Sequence, residues 1–158
     1  MIFTTKAEYG VRLLVELGRQ GADSPISLKA IAAAENLPLG YLEHVVALLR
    51  KADLVESTRG ARGGYRLSRP PEQITMDEVV IALEGGVTPM ECFFDEAEGR
   101  VSCSHLNDHG QACATKVLWM RVQNSVVDAL KRTTLAELVL FTPPAPARQR
   151  ADLTTATN

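Results

Sequence analysis

The stretch from Asn36 to Ser68 joins an apolar-periodic segment directly to a glycine-rich basic one, and that junction narrows what the chain can fold into. Leu42, Val45, Val46, Leu48 and Leu49 recur every three to four residues, which places them on one face of a helix and turns Tyr41, His44 and Arg50 toward other faces. Pro38 suits a first helical turn, where its missing N–H would be unsatisfied anyway, so a helix is expected from Pro38 to about Ala52. Leu54 to Thr58 and Tyr65 to Ser68 then read as two strands, joined through Arg59-Gly60-Ala61-Arg62-Gly63-Gly64.

Charge decides what this segment can touch. From Arg50 to Arg69 there are six basic residues, Arg50, Lys51, Arg59, Arg62, Arg66 and Arg69, against Asp53 and Glu56, in a chain whose formal net charge is −2. A hairpin tip carrying arginines on a backbone loosened by Gly60, Gly63 and Gly64 can enter a groove closely, and guanidinium forks bind phosphate oxygens or a guanine edge. Nucleic acid is the partner this composition suggests; a solvated surface hairpin is the plain alternative.

The preceding residues strengthen the first reading. Ala7, Val11, Leu14, Val15 and Leu17 give an amphipathic helix over Thr4 to Arg19, with Thr4 or Thr5 as its cap. Gly18 and Gly21 end it, Asp23-Ser24-Pro25 is turn chemistry, and Ser27 caps a short helix, Leu28 to Glu35, closed by Asn36. Helix, short helix, turn, helix, hairpin is the order of a winged helix-turn-helix. In that arrangement the third helix lies in a major groove, with Tyr41 and His44 near base edges or phosphates and Lys51 on phosphate. The wing residues Arg59, Arg62, Gly63 and Gly64 then reach an adjacent groove of double-stranded DNA.

Past the wing, Thr75 and Glu78 form a capping box for a helix running to about Leu83 or Glu84, and Gly85-Gly86 ends it. Residues 85–112 show no sustained period. Helical patterning returns from Ala114 to Arg132, where Leu118, Val122, Val126 and Leu130 form a stripe flanked by Val117 and Val127. That stripe packs either on its own domain or on a second copy. Readers of symmetric half-sites pair, so a homodimer is expected. A short helix follows from Leu135 to Leu140, and residues 142–158, with Pro143, Pro144 and Pro146, read as a disordered tail.

At 158 residues the chain has a one-domain length, and hydrophobics at 46% with aromatics at only 5% favour helices. The fold class expected is mainly α with a small β-hairpin wing. No apolar run reaches the 18 residues of a membrane span and no signal-peptide pattern opens the chain, so a cytoplasmic protein is expected. The motifs of nucleotide-dependent and hydrolytic enzymes are missing; Gly60, Gly63 and Gly64 precede no helix, so they do not cradle phosphate. Catalysis is not expected.

Cys92, Cys103 and Cys113 lie in an acidic segment: residues 81–113 hold Glu84, Glu91, Asp95, Glu96, Glu98 and Asp108 against Arg100 alone. Their spacing is too loose for a paired zinc motif. Thiolates select zinc, cuprous copper or iron–sulfur clusters, and a loop can wrap three of them around one centre; three unrelated thiols are the plain alternative.

Met1 to Tyr9, Tyr41-Leu42-Glu43, the wing Leu54-Val55 with Arg59-Gly60-Ala61-Arg62-Gly63-Gly64-Tyr65, the cysteine loop and Leu118-Trp119 together resemble the Rrf-type bacterial regulators, the family of IscR, NsrR, RirA and CymR. The resemblance runs from about Met1 to Phe141. It implies a homodimeric winged-helix protein that binds promoter operator DNA, in many members as a repressor. In the cluster-bearing members the cysteine loop holds a 2Fe–2S or 4Fe–4S cluster that senses cluster supply, redox state or nitric oxide.

Residues 1–84 would be the DNA-binding domain, 85–113 the cluster-binding loop, and 114–141 the dimerisation helix with a C-terminal helix. The cysteines are more widely spaced here than is usual in the family, and Lys116 stands where the IscR-like pattern places a histidine ligand. Lysine, protonated at neutral pH in water, is a poor iron ligand. The NsrR-like pattern instead takes a carboxylate at the position of Glu8, across the dimer, which makes Glu8 the first candidate for the fourth ligand, ahead of His105 and His109. The alternative the family offers is a cluster-free, CymR-like repressor controlled by a protein partner or small molecule.

Overall fold

A computed structural model of the chain describes residues 3–21, 24–60, 63–87, 94–95, 100–101 and 114–141. The expectations for Arg62, for Cys92, Cys103 and Cys113, for His105 and His109 and for the tail from 142 fall outside these residues. Helix α1 spans Thr5–Gln20, α2 Leu28–Glu35 and α3 Leu39–Lys51. The wing strands β1, Val55–Thr58, and β2, Gly64–Leu67, pair antiparallel, with Glu56 opposite Arg66 and Ser57 opposite Tyr65. A 3-10 turn at Pro71–Gln73 leads into α4, Met76–Glu84. Two-residue strands β3, Phe94–Asp95, and β4, Arg100–Val101, pair antiparallel inside the segment that showed no period; two residues are too few for an alternation to register. Helix α5 spans Ala114–Arg132 and α6 Leu135–Leu140.

Local chemistry sets the helix bounds. Thr4 caps α1 by accepting from Lys6 N, and Ser27 caps α2 by accepting from Ala30 N. Asn36 closes α2 in the left-handed region at φ 52°, a conformation its short polar side chain tolerates. Pro38, expected as the first residue of this helix, sits one place before it as the N-cap: its backbone is extended, and only its carbonyl joins α3, accepting from Tyr41 N and Leu42 N at 3.1 Å each. Thr75 with Glu78 and Thr134 with Glu137 complete capping boxes on α4 and α6; the second escaped the sequence reading.

One core unites these pieces. Leu13, Leu14, Ile31, Leu42, Val45, Leu49, Leu54, Ile74, Val79 and Leu135 are all essentially inaccessible, and each large aliphatic buried this way contributes about 1.5–3 kcal/mol. Leu135 belongs to α6, so the last helix shares the core of the winged unit although the sequence grouped it with α5. Leu135 N donates to Ile74 O at 2.8 Å and Met76 N to Thr133 O at 3.0 Å, which stitches the start of α6 to the start of α4. A short bridge joins Ile26 to Tyr65, with N–H to O distances of 2.9 and 2.8 Å, and gives the wing a third edge beside α2. Gly64 faces the Ile26 backbone at that bridge, where a Cβ has no room, and Gly63 is equally tight against the Thr58 carbonyl. The glycine pair is therefore required by the wing's own register, whatever it does toward a ligand.

Candidate nucleic-acid interface

The core-facing side of α3 is Leu42, Val45, Val46 and Leu49, so the opposite side follows from helix geometry: Gly40, His44, Ala47 and Lys51 stand in one outward row, all exposed. His44 is off the core face, as the periodicity predicts, and Lys51 is exposed in the same row. Tyr41 stands at the flank instead. Its ring meets Tyr9 of α1 edge to face, with centroids 5.4 Å apart and planes at 82°, while 36% of the residue stays exposed. Tyr41 thus fixes the start of α3 against α1 and presents only its outer edge beside the row.

In the wing, Arg59 is exposed next to Gly60, whose φ of 120° makes the sharp reversal at the tip. The basic set is less free than its count implied. Arg66 Nε lies 2.6 Å from Glu56 Oε1 across the hairpin, and Arg69 Nη2 lies 2.8 Å from Glu78 Oε1 of α4. Arg50, Lys51 and Arg59 have no ion-pair partner among the described residues. These three, with His44, form the open basic surface along α3 and the wing. Partial burial pushes the Glu78 carboxyl up, but bonds from Thr75 and Arg69 and the guanidinium charge outweigh it and hold the group below the usual glutamate value.

Behind α3 lies a charged relay. Arg12 of α1 donates from Nε to Glu35 Oε2 at 2.9 Å and from Nη2 to the Glu35 carbonyl, at the last residue of α2 before the turn into α3. Glu8 Oε1 lies 3.8 Å from Arg12 Nη1, with the Glu8 side chain 63% exposed. Glu8 and Arg12 also line a groove of about 530 Å³ whose other walls include Phe3, Ala7, Val11, Val80 and Leu130. The candidate fourth ligand is therefore accessible and one ion pair removed from the helix-turn-helix corner.

Sequence reasoning missed Glu84, the last residue of α4. Its Oε1 accepts from Thr4 Oγ1 at 2.5 Å, Ala7 N at 3.2 Å and Thr4 N at 3.3 Å, and Lys6 Nζ lies 3.9 Å from Oε2. A carboxylate from α4 thus caps α1 from across the fold, satisfying N–H groups and favoured by the positive helix end. The chain leaves α4 toward the cysteines directly after it, at Gly85. No local pattern marks an acid that acts on residues some 80 positions away.

Among the described residues no group of metal-ligating side chains occurs, the three cysteines lying outside them, and no helix is long and apolar enough to cross a membrane. The chain matches the family described as "Rrf2: Iron-dependent Transcriptional regulator" over residues 3–140. It is 37% identical over 142 residues to the HTH-type transcriptional regulator CymR of Bacillus subtilis, covering 90% of this chain and 92% of that protein. The solved structure of CymR, described as the global cysteine regulator of B. subtilis, superposes with a TM-score of 0.73 at 36% identity, over 90% of this chain and 99% of that one. The IscR of T. potens superposes with a TM-score of 0.68 at 34% identity, over 88% and 86%. Mostly helical, with a two-stranded hairpin after its third helix, the fold matches these winged-helix structures, and the chain belongs to the Rrf2 family of transcriptional regulators.

Proposed function

We propose that the chain acts as a homodimer on operator DNA and senses iron–sulfur cluster status, redox state or nitric oxide through a 2Fe–2S or 4Fe–4S cluster bound by Cys92, Cys103 and Cys113, with Glu8 of the second protomer as fourth ligand. The observation that carries the reading is the position of Glu8, exposed at a groove and paired to Arg12, which itself holds the end of α2. Three thiolates in one loop have the donor chemistry such a cluster needs, and when bound it would supply a centre reactive toward electrons and nitric oxide.

The chain's own residues do the rest. A carboxylate is a hard ligand beside three soft thiolates, so Glu8 is the ligand most easily given up. Released, it is free to pair with Arg12; engaged, it leaves Arg12 to Glu35 alone. Either exchange alters the hold on the turn that aims α3. A coupling of typically 1–3 kcal/mol changes operator affinity about 5- to 150-fold.

Protein purified without oxygen is expected to be brown and to contain iron and acid-labile sulfide. Glu8→Gln, which keeps the size and removes the charge, should still form the cluster but lose it faster, with the difference in operator affinity between loaded and stripped protein reduced. Wild-type cluster lifetime and response in Glu8→Gln would move the fourth-ligand assignment to His105 or His109. A second reading, a cluster-free repressor controlled by a protein partner or small molecule, draws on the similarity to CymR and on Lys116 in place of a histidine. Colourless protein that binds operator fully, even after attempted reconstitution, would establish that second reading over the first.

A further inference from the structure

Among the nine described glycines, eight have a reason inside the fold. Gly10 and Gly18 lie under the side chains of Leu83 and Val139, and Gly63 and Gly64 lie against backbone; Gly21, Gly60, Gly85 and Gly86 adopt positive φ. Gly40 has none of these reasons. It sits in the first turn of α3 without positive φ, and a Cβ built on it meets nothing within 4 Å. Glycine is a poorer helix former than alanine, so within the isolated protomer alanine would serve better at this position.

We infer that Gly40 is a positioning residue for DNA reading, where the missing Cβ lets the first turn of α3 approach the floor of the major groove. The inference rests on the proposal that α3 reads operator DNA. Gly40 begins the outward row that continues through His44, Ala47 and Lys51, so small and basic side chains alternate along the face opposed to the core. The small residues set how near the helix axis comes to the base pairs. His44 and Lys51 then extend from that distance to base edges and phosphates. A Cβ at Gly40 would tilt the N-terminal end of α3 outward and lengthen the contacts farther along it.

The experiment uses full-length protein and a duplex that the wild type enriches from a random-sequence pool. Gly40→Ala and Gly40→Leu are compared with wild type for thermal midpoint and for affinity to that duplex. The expected result is a Gly40→Ala midpoint equal to or above that of the wild type, with affinity reduced about ten-fold, the size of one lost base contact, and a larger reduction for Gly40→Leu. Gly40→Ala affinity within two-fold of wild type would overturn the inference. So would a lowered midpoint for Gly40→Ala, because the glycine would then serve the fold. If the wild type enriches no duplex, DNA reading by α3 itself fails and the role of Gly40 falls with it, an outcome distinct from the other two.

Discussion

Helices α3 and α5 are both amphipathic and both keep one face on the common core, yet what they turn outward differs in kind. The outward row of α3 holds Gly40, His44, Ala47 and Lys51, with Glu43 and Arg50 at its side. In α5 the C-terminal end is anchored, with Leu130 packed against the core and Gln123 Nε2 donating to Val87 O at 2.7 Å. Toward its other end Val117, Leu118 and Met120 are 49%, 54% and 46% exposed. A helix that stays apolar after leaving its own core is built for another apolar surface; one whose outward row is small and basic is built for a polar, anionic one. On the proposed reading the two helices divide the labour of a regulator, with α3 facing DNA and α5 facing a second copy.

The largest effect should come from attacking the second half of that division. Leu118→Asp puts a charge where burial against a partner is expected, and the dimer should weaken on the order of 100-fold, the cost of losing a well-packed apolar contact. Sedimentation would show monomers, operator affinity would fall with the dimer, and the thermal midpoint of the protomer would change little. Leu130→Ala in the anchored end should do the reverse, removing about 2 kcal/mol of fold stability while the protein that remains folded still pairs. If Leu118→Asp unfolds the chain or leaves it dimeric, the stripe is a protomer contact and the contrast with α3 fails.

Next in size come two substitutions on the DNA side. Arg59→Ala should cost about 1–3 kcal/mol of operator affinity if the side chain reads a base edge in two bonds, and should relax preference at that base pair. Lys51→Ala should weaken all duplexes alike and lower the salt slope by about 1, the signature of one phosphate contact. Mobility-shift titrations over a range of salt separate the two. Dimerisation through α5 should be indifferent to the same salt, which sharpens the comparison; operator binding unaffected by either substitution would displace both residues from the interface.

How much of this was legible depended on the distance over which each signal acts. Caps and periodicity act within a few residues, so Ser27, Asn36, Thr75 and the bounds of α2, α5 and α6 could be read directly. The exposure of His44, Lys51 and Arg59 followed from the same periodicity and turn chemistry. The ring contact of Tyr41 could not be read because its partner, Tyr9, lies on another helix. The Glu84 cap on α1, the Ile26–Tyr65 bridge and the seat of Leu135 in the core all join residues far apart in sequence, and nothing in either partner's neighbourhood announces the other. The pairing of Arg66 and Arg69 with carboxylates was equally hidden, and it ties up two of the six charges that the count of basic residues had suggested.

The smallest expected effect concerns the joint between the wing and the α4 platform, which should matter to α3 and not to α5. Glu78 accepts from Thr75 N at 3.1 Å, Thr75 Oγ1 at 3.1 Å and Arg69 Nη2 at 2.8 Å, so its charge both caps α4 and holds the residue that leaves β2. Its carboxyl lies lower in the folded chain than in the unfolded one. Stability from a group depressed in this way is fully present above the unfolded value and is lost as pH falls through the folded value. Glu78→Gln should therefore lower stability at neutral pH by about 0.5–1 kcal/mol, the range of an exposed cap and ion pair. The difference from wild type should shrink as the pH drops below the ordinary glutamate range and vanish once the wild-type carboxyl is protonated. Denaturant titrations of both proteins at several pH values would measure this. A difference that persists undiminished at the lowest pH would mean that the shape of Glu78, not its charge, holds the wing to α4.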